Sequence, residues 1–187
     1  GRNARPIPQV RLALPEYWTV PLTRGWLHLK GHIAYGKLTD GDWEGDFTAR
    51  QTKYTEDVLY HSKAGYLKIG NEDVFCPWSF EVGLEMASLF GGRSYLPNGD
   101  GTMRVYNNGT GLKAYLDALI PGGAEANETQ YKNVEGDQLG SWVMRINYEN
   151  DDFMAAVYAD KFFEDHSSMF QLDYDGYGSG DEWDVKK

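Results

Sequence analysis

The sequence predicts an all-β fold, an antiparallel up-and-down sheet, and three observations carry that expectation. Long stretches alternate apolar and polar side chains with a period of two, which gives each strand two chemically distinct faces. Aromatic residues make up 14% of the chain, beside 22 glycines, a mixture suited to many strands and tight turns. Only one short stretch has helical spacing instead.

Taken in chain order, Trp26 to Tyr35 places Leu27, Leu29, Ile33 and Tyr35 on one face and Trp26, His28, Lys30 and His32 on the other. Leu59 to Ile69 is less tidy. Tyr60, Ala64 and Tyr66 alternate with His61 and Lys63, while Leu67 and Ile69 join the polar side, as a bulge or a change of environment would cause. Ser79 to Phe90 separates Phe80, Val82, Leu84, Met86 and Phe90 from Glu81, Gly83, Glu85 and Ala87. A long loop over 93–132 follows, holding the helical spacing Leu112, Tyr115, Leu116, Leu119 and Ile120, stopped by Pro121-Gly122-Gly123. Leu139 to Glu149 then sets Trp142, Met144, Ile146 and Tyr148 against Ser141, Arg145, Asn147 and Glu149, with Val143 breaking the pattern. Glu149 to Asp152 fits a tight hairpin into a strand over Phe153 to Phe163, and Met169 to Tyr174 reads as one more strand. The remaining connections are polar and glycine-rich, too long for minimal hairpins. With no linker or internal repeat, 1–187 is expected to be a single β domain.

The 28 acidic against 18 basic residues leave a net charge of −10, which gives nucleic-acid phosphates no reason to approach. Cys76 is the only cysteine and has neither an internal disulfide partner nor zinc-site spacing. No apolar run approaches the roughly twenty residues of a membrane helix. The chain starts at Gly1 without an initiator methionine or a signal peptide, so an internal or processed piece is expected.

Strands with one apolar and one polar face suit a soluble sandwich or barrel, with the apolar face in the core. They also suit an outer-membrane barrel, with that face on lipid and the polar face lining a lumen. Runs of about ten residues match the length a tilted membrane strand needs. Tyr35, Tyr60, Tyr66, Phe90, Trp142 and Tyr148 lie near ends of the apolar faces, as interfacial rings do. On the membrane reading His28, Lys30, His32, Glu81, Glu85, Arg145 and Glu149 face the lumen, while Leu84 and Met86 face outward.

Several motifs bear on the choice. Leu59-Tyr60-His61-Ser62-Lys63, Leu67-Lys68-Ile69-Gly70 and Gly83-Leu84-Glu85 leading to Phe90-Gly91-Gly92 resemble successive strands of the Wzi capsule-assembly family. Gly136-Asp137-Gln138-Leu139-Gly140-Ser141-Trp142 and Phe162-Phe163-Glu164-Asp165-His166-Ser167 are similar, in order and rough spacing, to further stretches of it. The likeness runs from about Trp18 to Asp173, and the loop from Leu96 to Lys132 has no counterpart in it. The resemblance implies part of a transmembrane β-barrel in the outer membrane of a Gram-negative bacterium. It implies a lectin that helps hold capsular or other surface polysaccharide, with no catalysis and no cofactor, and with outer-membrane lipid as its surroundings. Family members are longer and carry a helical element as well as a large closed barrel.

Candidate chemistry is sparse. Glu81 and Glu85 share a face, but four residues at about 3.3 Å rise separate their backbones by roughly 13 Å. That is wide for glycosidase carboxyls, which sit about 5 to 9.5 Å apart, so solvation or pairing with Arg145 or Lys30 is expected. Asp165, His166 and Ser167 hold the residue types of a hydrolase triad, but strand neighbours point to opposite faces and a triad is assembled in space. Glu164 and His166, which share a face, are expected to contact sugar. His28, Lys30 and His32 form a row without a third metal ligand, and Asp173-Tyr174-Asp175-Gly176 lacks the spacing and closing glutamate of a calcium loop. Loop aromatics Trp43, Tyr95 and Tyr106 are the candidates for stacking on sugar rings. Two alternatives stay open: a soluble β-barrel enzyme acting on carbohydrate, in which Glu81 and Glu85 meet Glu149 or Asp165, and an outer-membrane channel for small solutes.

Overall fold

A computed structural model describes residues 6–39, 42–71, 74, 76–119 and 138–164 of the chain, with only the backbone at Glu164. The described residues form nine strands and two helices. In chain order these are β1 (Gln9–Thr19), β2 (Leu27–Lys37), α1 (Trp43–Phe47), β3 (Tyr54–Glu56), β4 (Leu59–Ile69) and β5 (Trp78–Phe90). They continue as β6 (Arg93–Pro97), β7 (Met103–Asn107), α2 (Leu112–Leu119), β8 (Leu139–Glu149) and β9 (Met154–Glu164). One sheet has six strands in the order β1-β2-β4-β5-β8-β9, and a smaller one has the order β3-β6-β7. The all-β expectation therefore holds.

The chain divides into two compact units. Unit 1 comprises Gly1–Arg11, Ala34–Ser62 and Ala87–Gln138; unit 2 comprises Leu12–Ile33, Lys63–Met86 and Leu139–Lys187.

Unit 1 holds the small sheet and both helices. The sequence reads 93–132 as a loop, but β6 and β7 pair there from Arg93↔Asn107 to Pro97↔Met103. Their turn is closed by Asn98 N–H donating to the Thr102 carbonyl at 2.8 Å and by Gly101 at φ 82°. Five-residue strands without clean alternation leave little periodic signal. On α2 the packed side is also not the leucine stripe: Ala114 and Ala118 are buried, whereas Leu112 and Leu116 are exposed. Two alanines let the helix backbone approach Phe90, which is fully buried with Tyr35, Leu59 and Tyr115 around it. The Phe90 and Tyr115 rings meet edge to face at 5.2 Å, and Tyr35 O–H donates to the Tyr115 carbonyl at 2.8 Å. Tyr35 also lies 4.4 Å from the buried His61 ring, whose Nδ1–H donates to the Ala34 carbonyl at 3.0 Å. Tyr35 and Phe90 thus belong to a core, not to an interfacial belt. Gly92, at φ 78°, leaves no room for a Cβ beside the backbone of Glu56 and Val58.

In unit 2, β8 and β9 form the expected hairpin, in register from Leu139↔Glu164 to Glu149↔Met154. Asn150 makes the turn, its Oδ1 accepting from the N–H groups of Asp152 and Phe153 at 3.0 and 2.9 Å. Gly140 pairs with Phe163, and a Cβ at Gly140 would collide with the Phe163 ring. That ring buries Met86, with Leu84 and Trp142 packed alongside. Met86 is therefore covered by its own chain instead of facing outward. Elsewhere the aliphatic face of unit 2 is bare: Leu14, Leu29, Phe80 and Ile146 keep 41, 38, 38 and 46% of their surface. A shallow groove of about 470 Å³ is lined by Leu14, Leu29, Leu67, Val82, Leu84 and Trp142, and also by Lys30 and Tyr66. No described helix is long and apolar enough to cross a membrane, which does not bear on strands.

Candidate functional site

The opposite face of unit 2 carries a continuous polar lattice built from one or two side chains of each of several strands. It begins on β1, which alternation should have disclosed: Leu12, Leu14 and Trp18 oppose Tyr17 and Thr19. Pro15 hides the strand, because proline is tolerated at a sheet edge and β1 is such an edge. The Tyr17 hydroxyl donates to Glu81 Oε2 at 2.8 Å. Asn147 Nδ2 reaches the other oxygen of that carboxylate at 2.9 Å and also Ser79 Oγ at 3.0 Å. Glu85 accepts the Tyr66 hydroxyl. Between the two tyrosines stands Lys30, its Nζ 4.8 Å from the Tyr17 ring centre and 4.6 Å from that of Tyr66. Lys68 approaches Tyr17 at 5.8 Å, and the Arg145 guanidinium lies 4.9 Å over Tyr158. Each cation thus sits over the electron-rich face of a ring.

Tyr66 corrects the expected sidedness of β4. It lies with Lys30 and Glu85 on the polar side, and Leu67, its neighbour on the strand, points to the other. The strand therefore needs no exchange of faces: His61, which the sequence places on the polar side, is buried against Tyr35 in unit 1. Gly83 makes the tyrosine's position feasible, since a Cβ there would collide with the Tyr66 ring and with Val143.

Of the residues expected on the polar side, Lys30, Glu81, Glu85 and Arg145 join this lattice. His28 binds locally, Nδ1 lying 3.0 Å from Thr19 Oγ1 and Nε2 3.1 Å from the Gly70 carbonyl. His32 is half-buried and has a partner of its own. Glu149 is exposed at the end of β8, where it lines a small polar cleft with Asn147 and Lys68. Sequence reasoning places Asn147 on the polar face without a role, puts Tyr66 on the apolar one and misses Tyr17 and Ser79; these four supply most of the hydrogen bonds. Among the described residues no three His, Cys, Asp or Glu side chains converge as a metal would need.

The expected sugar-stacking residues do not converge. Trp43 is exposed and its ring is stacked on Phe47 at 5.1 Å, on the single turn of α1. That turn is tied down by Glu44, which accepts from Thr55 N–H and Oγ1–H at 2.9 and 3.0 Å. Tyr95 stacks on buried Tyr54 at 4.7 Å, and burial, then the hydrogen bond to Glu56, pushes its hydroxyl pKa up. Tyr106 pairs with Ser94 while Tyr95 pairs with Val105, so the two tyrosines occupy opposite faces of the small sheet. Tyr106 accepts from Arg104 Nη1 at 3.3 Å. The Glu164 side chain and His166 lie outside the described residues, as do Asp165, Ser167 and the strand expected over Met169 to Tyr174.

Beside β3, Asp57 anchors an ion cluster with Lys37 Nζ at 2.6 Å and Arg93 Nη2 at 2.5 Å. Hydrogen bonds from Lys37 and then Arg93 hold its carboxyl below the usual carboxylate range.

Comparison with protein-family models, with curated proteins and with solved structures finds no match. The likeness to the Wzi family therefore stands on the short motifs alone.

Proposed function

We propose that the chain is a segment of an outer-membrane β-barrel that acts as a lectin, helping to attach or assemble capsular or other surface polysaccharide, without catalysis or a resident cofactor. The observation that carries this is the contrast between the two sides of unit 2. One side is a lattice of tyrosines, cations and carboxylates, the chemistry that meets water and sugar hydroxyls. The other exposes Leu14, Leu29, Phe80 and Ile146 in part, on a sheet whose strands reach 11 and 13 residues, lengths suited to crossing hydrocarbon, although His61, Met86 and Phe90 on that face are covered by the chain itself. Open sheet edges carry no weight here, since half of a soluble sandwich has them too. Against the catalytic alternative, each glutamate already accepts a tyrosine hydroxyl.

Fractionation of the protein in its native host, followed by retention of surface polysaccharide in a deletion strain, tests the proposal. The expected result is co-sedimentation with outer membrane and loss of polysaccharide from the deleted strain. Recovery as a freely soluble periplasmic monomer would overturn the membrane half, and undiminished polysaccharide the lectin half.

A further inference from the structure

Unit 1 holds two Asn-Gly pairs, Asn98-Gly99 in the turn between β6 and β7 and Asn108-Gly109 directly after β7. The pairing is chemically reactive. Asparagine deamidates when the main-chain nitrogen of the next residue reaches its side-chain carbonyl carbon, and glycine puts no side chain in the way. Sequence alone ranks the two pairs equally; the fold does not.

Asn108 is 6% exposed and held on two sides. Its N–H donates to the Gly92 carbonyl at 2.9 Å, and its Nδ2 donates to the Gly91 carbonyl and to Ser94 Oγ, both at 3.3 Å. Asn98 is half-buried, and its Nδ2 donates to Thr102 Oγ1 at 2.8 Å in an exposed contact. Gly99 is exposed, with open space where a Cβ would stand. Turning the Asn98 side chain onto the Gly99 nitrogen therefore breaks one bond that water replaces at once. The same turn at Asn108 breaks two buried bonds, and openings of buried segments are the rarer ones.

We propose that Asn98 is a site of spontaneous deamidation to aspartate and isoaspartate, and that the fold shields Asn108 from the same reaction. Hydroxide removes the Gly99 N–H proton, the nitrogen attacks Asn98 Cγ, and the bond from Cγ to Nδ2 breaks with release of ammonia, closing a succinimide ring. Water then opens the ring. Addition at Cγ gives aspartate, and addition at the main-chain carbonyl gives isoaspartate, whose chain runs through Cβ and Cγ. Either product adds a negative charge to a chain already at −10. Isoaspartate also lengthens the backbone inside a turn that Asn98 N–H closes on the Thr102 carbonyl, which loosens the pairing of Pro97 with Met103. The inference is independent of the lectin function proposed above.

The test incubates the full chain in detergent micelles in mildly alkaline buffer, and in parallel in guanidinium chloride. Peptide mapping by mass spectrometry follows the amide-to-acid conversion at each site, and methylation by an isoaspartyl methyltransferase detects isoaspartate. In the folded protein Asn98 should convert about tenfold faster than Asn108, the worth of the additional buried hydrogen bond, and the two rates should draw together in denaturant. Gly99→Ala, an exposed change, should slow Asn98 severalfold. Equal rates in the folded protein, or an Asn98 that converts only in denaturant, would overturn the proposal. An unaltered rate in Gly99→Ala would exclude attack by the Gly99 nitrogen and overturn it as well.

Discussion

Phe90 in unit 1 and Leu29 in unit 2 both belong to the apolar sets of alternating strands, yet they meet opposite fates. Phe90 has no exposed surface, because α2 brings Ala114 and Ala118 against it. Leu29 keeps 38% of its surface, on the wall of an open groove. Alternation specifies that a side chain shares a face with its neighbours two residues away; it does not specify what lies on that face. The covering layer comes from a helix distant in sequence, whose packing depends on two small residues.

The sharpest way to press on that contrast is to empty the covered side. Phe90→Ala should destabilise the protein by about 3–5 kcal/mol through lost burial and a residual cavity, seen as a lowered midpoint in chemical unfolding. Leu29→Arg probes the uncovered side. If that face meets hydrocarbon, the change costs about 2–4 kcal/mol in lipid bilayers near mid-depth, whereas in a water-exposed position surface changes stay within about 0.5 kcal/mol. A neutral outcome in bilayers would remove the lipid assignment. Gly83→Ala forces a Cβ against the Tyr66 ring and Val143, and overpacking of this kind costs about 1–3 kcal/mol. Its readout is a loosened tyrosine environment in near-ultraviolet circular dichroism. Tyr66→Phe keeps the ring over which Lys30 sits but removes the hydroxyl bonded to Glu85. It should cost about 1 kcal/mol, and a larger loss would mean that the lattice acts as one cooperative network.

The smallest effect belongs to Asp57. Its carboxyl pKa is depressed in the folded state by Lys37 and Arg93, so the unfolded chain holds the proton more tightly. The stabilisation is then complete above the unfolded value of about 3.9 and is lost as pH falls through the lower folded value. Because both partners are substantially exposed, high salt should weaken it. Asp57→Asn should flatten the acid limb of a stability-against-pH curve below about pH 4. An unchanged limb would mean that the cluster contributes nothing to folding.

Legibility followed the strength of periodicity. The strands found as β2, β5 and β8 and the hairpin at Asn150 were readable because alternation there runs ten residues or more. Lys30, Glu81, Glu85 and Arg145 could be placed on a polar face for the same reason. Tyr66 was assigned to the wrong side, since a tyrosine counts as apolar in a pattern although its hydroxyl suits a carboxylate. Tyr17 was missed because Pro15 interrupts a strand that only its edge position tolerates. Trp43, Tyr95 and Tyr106 were singled out by residue type, and type alone cannot bring loop aromatics onto one surface.

By itself the sequence determined the β class, the long alternating strands and which residues share each face, because those follow from local geometry that repeats every two residues. Only the tertiary structure decided that Phe90 lies under α2, that Met86 is covered by Phe163, and that tyrosines clasp Lys30. Those outcomes depend on which strand lies beside which and on the space that Gly83 and Gly140 leave for a neighbour's ring, and no local pattern encodes the identity of a neighbour.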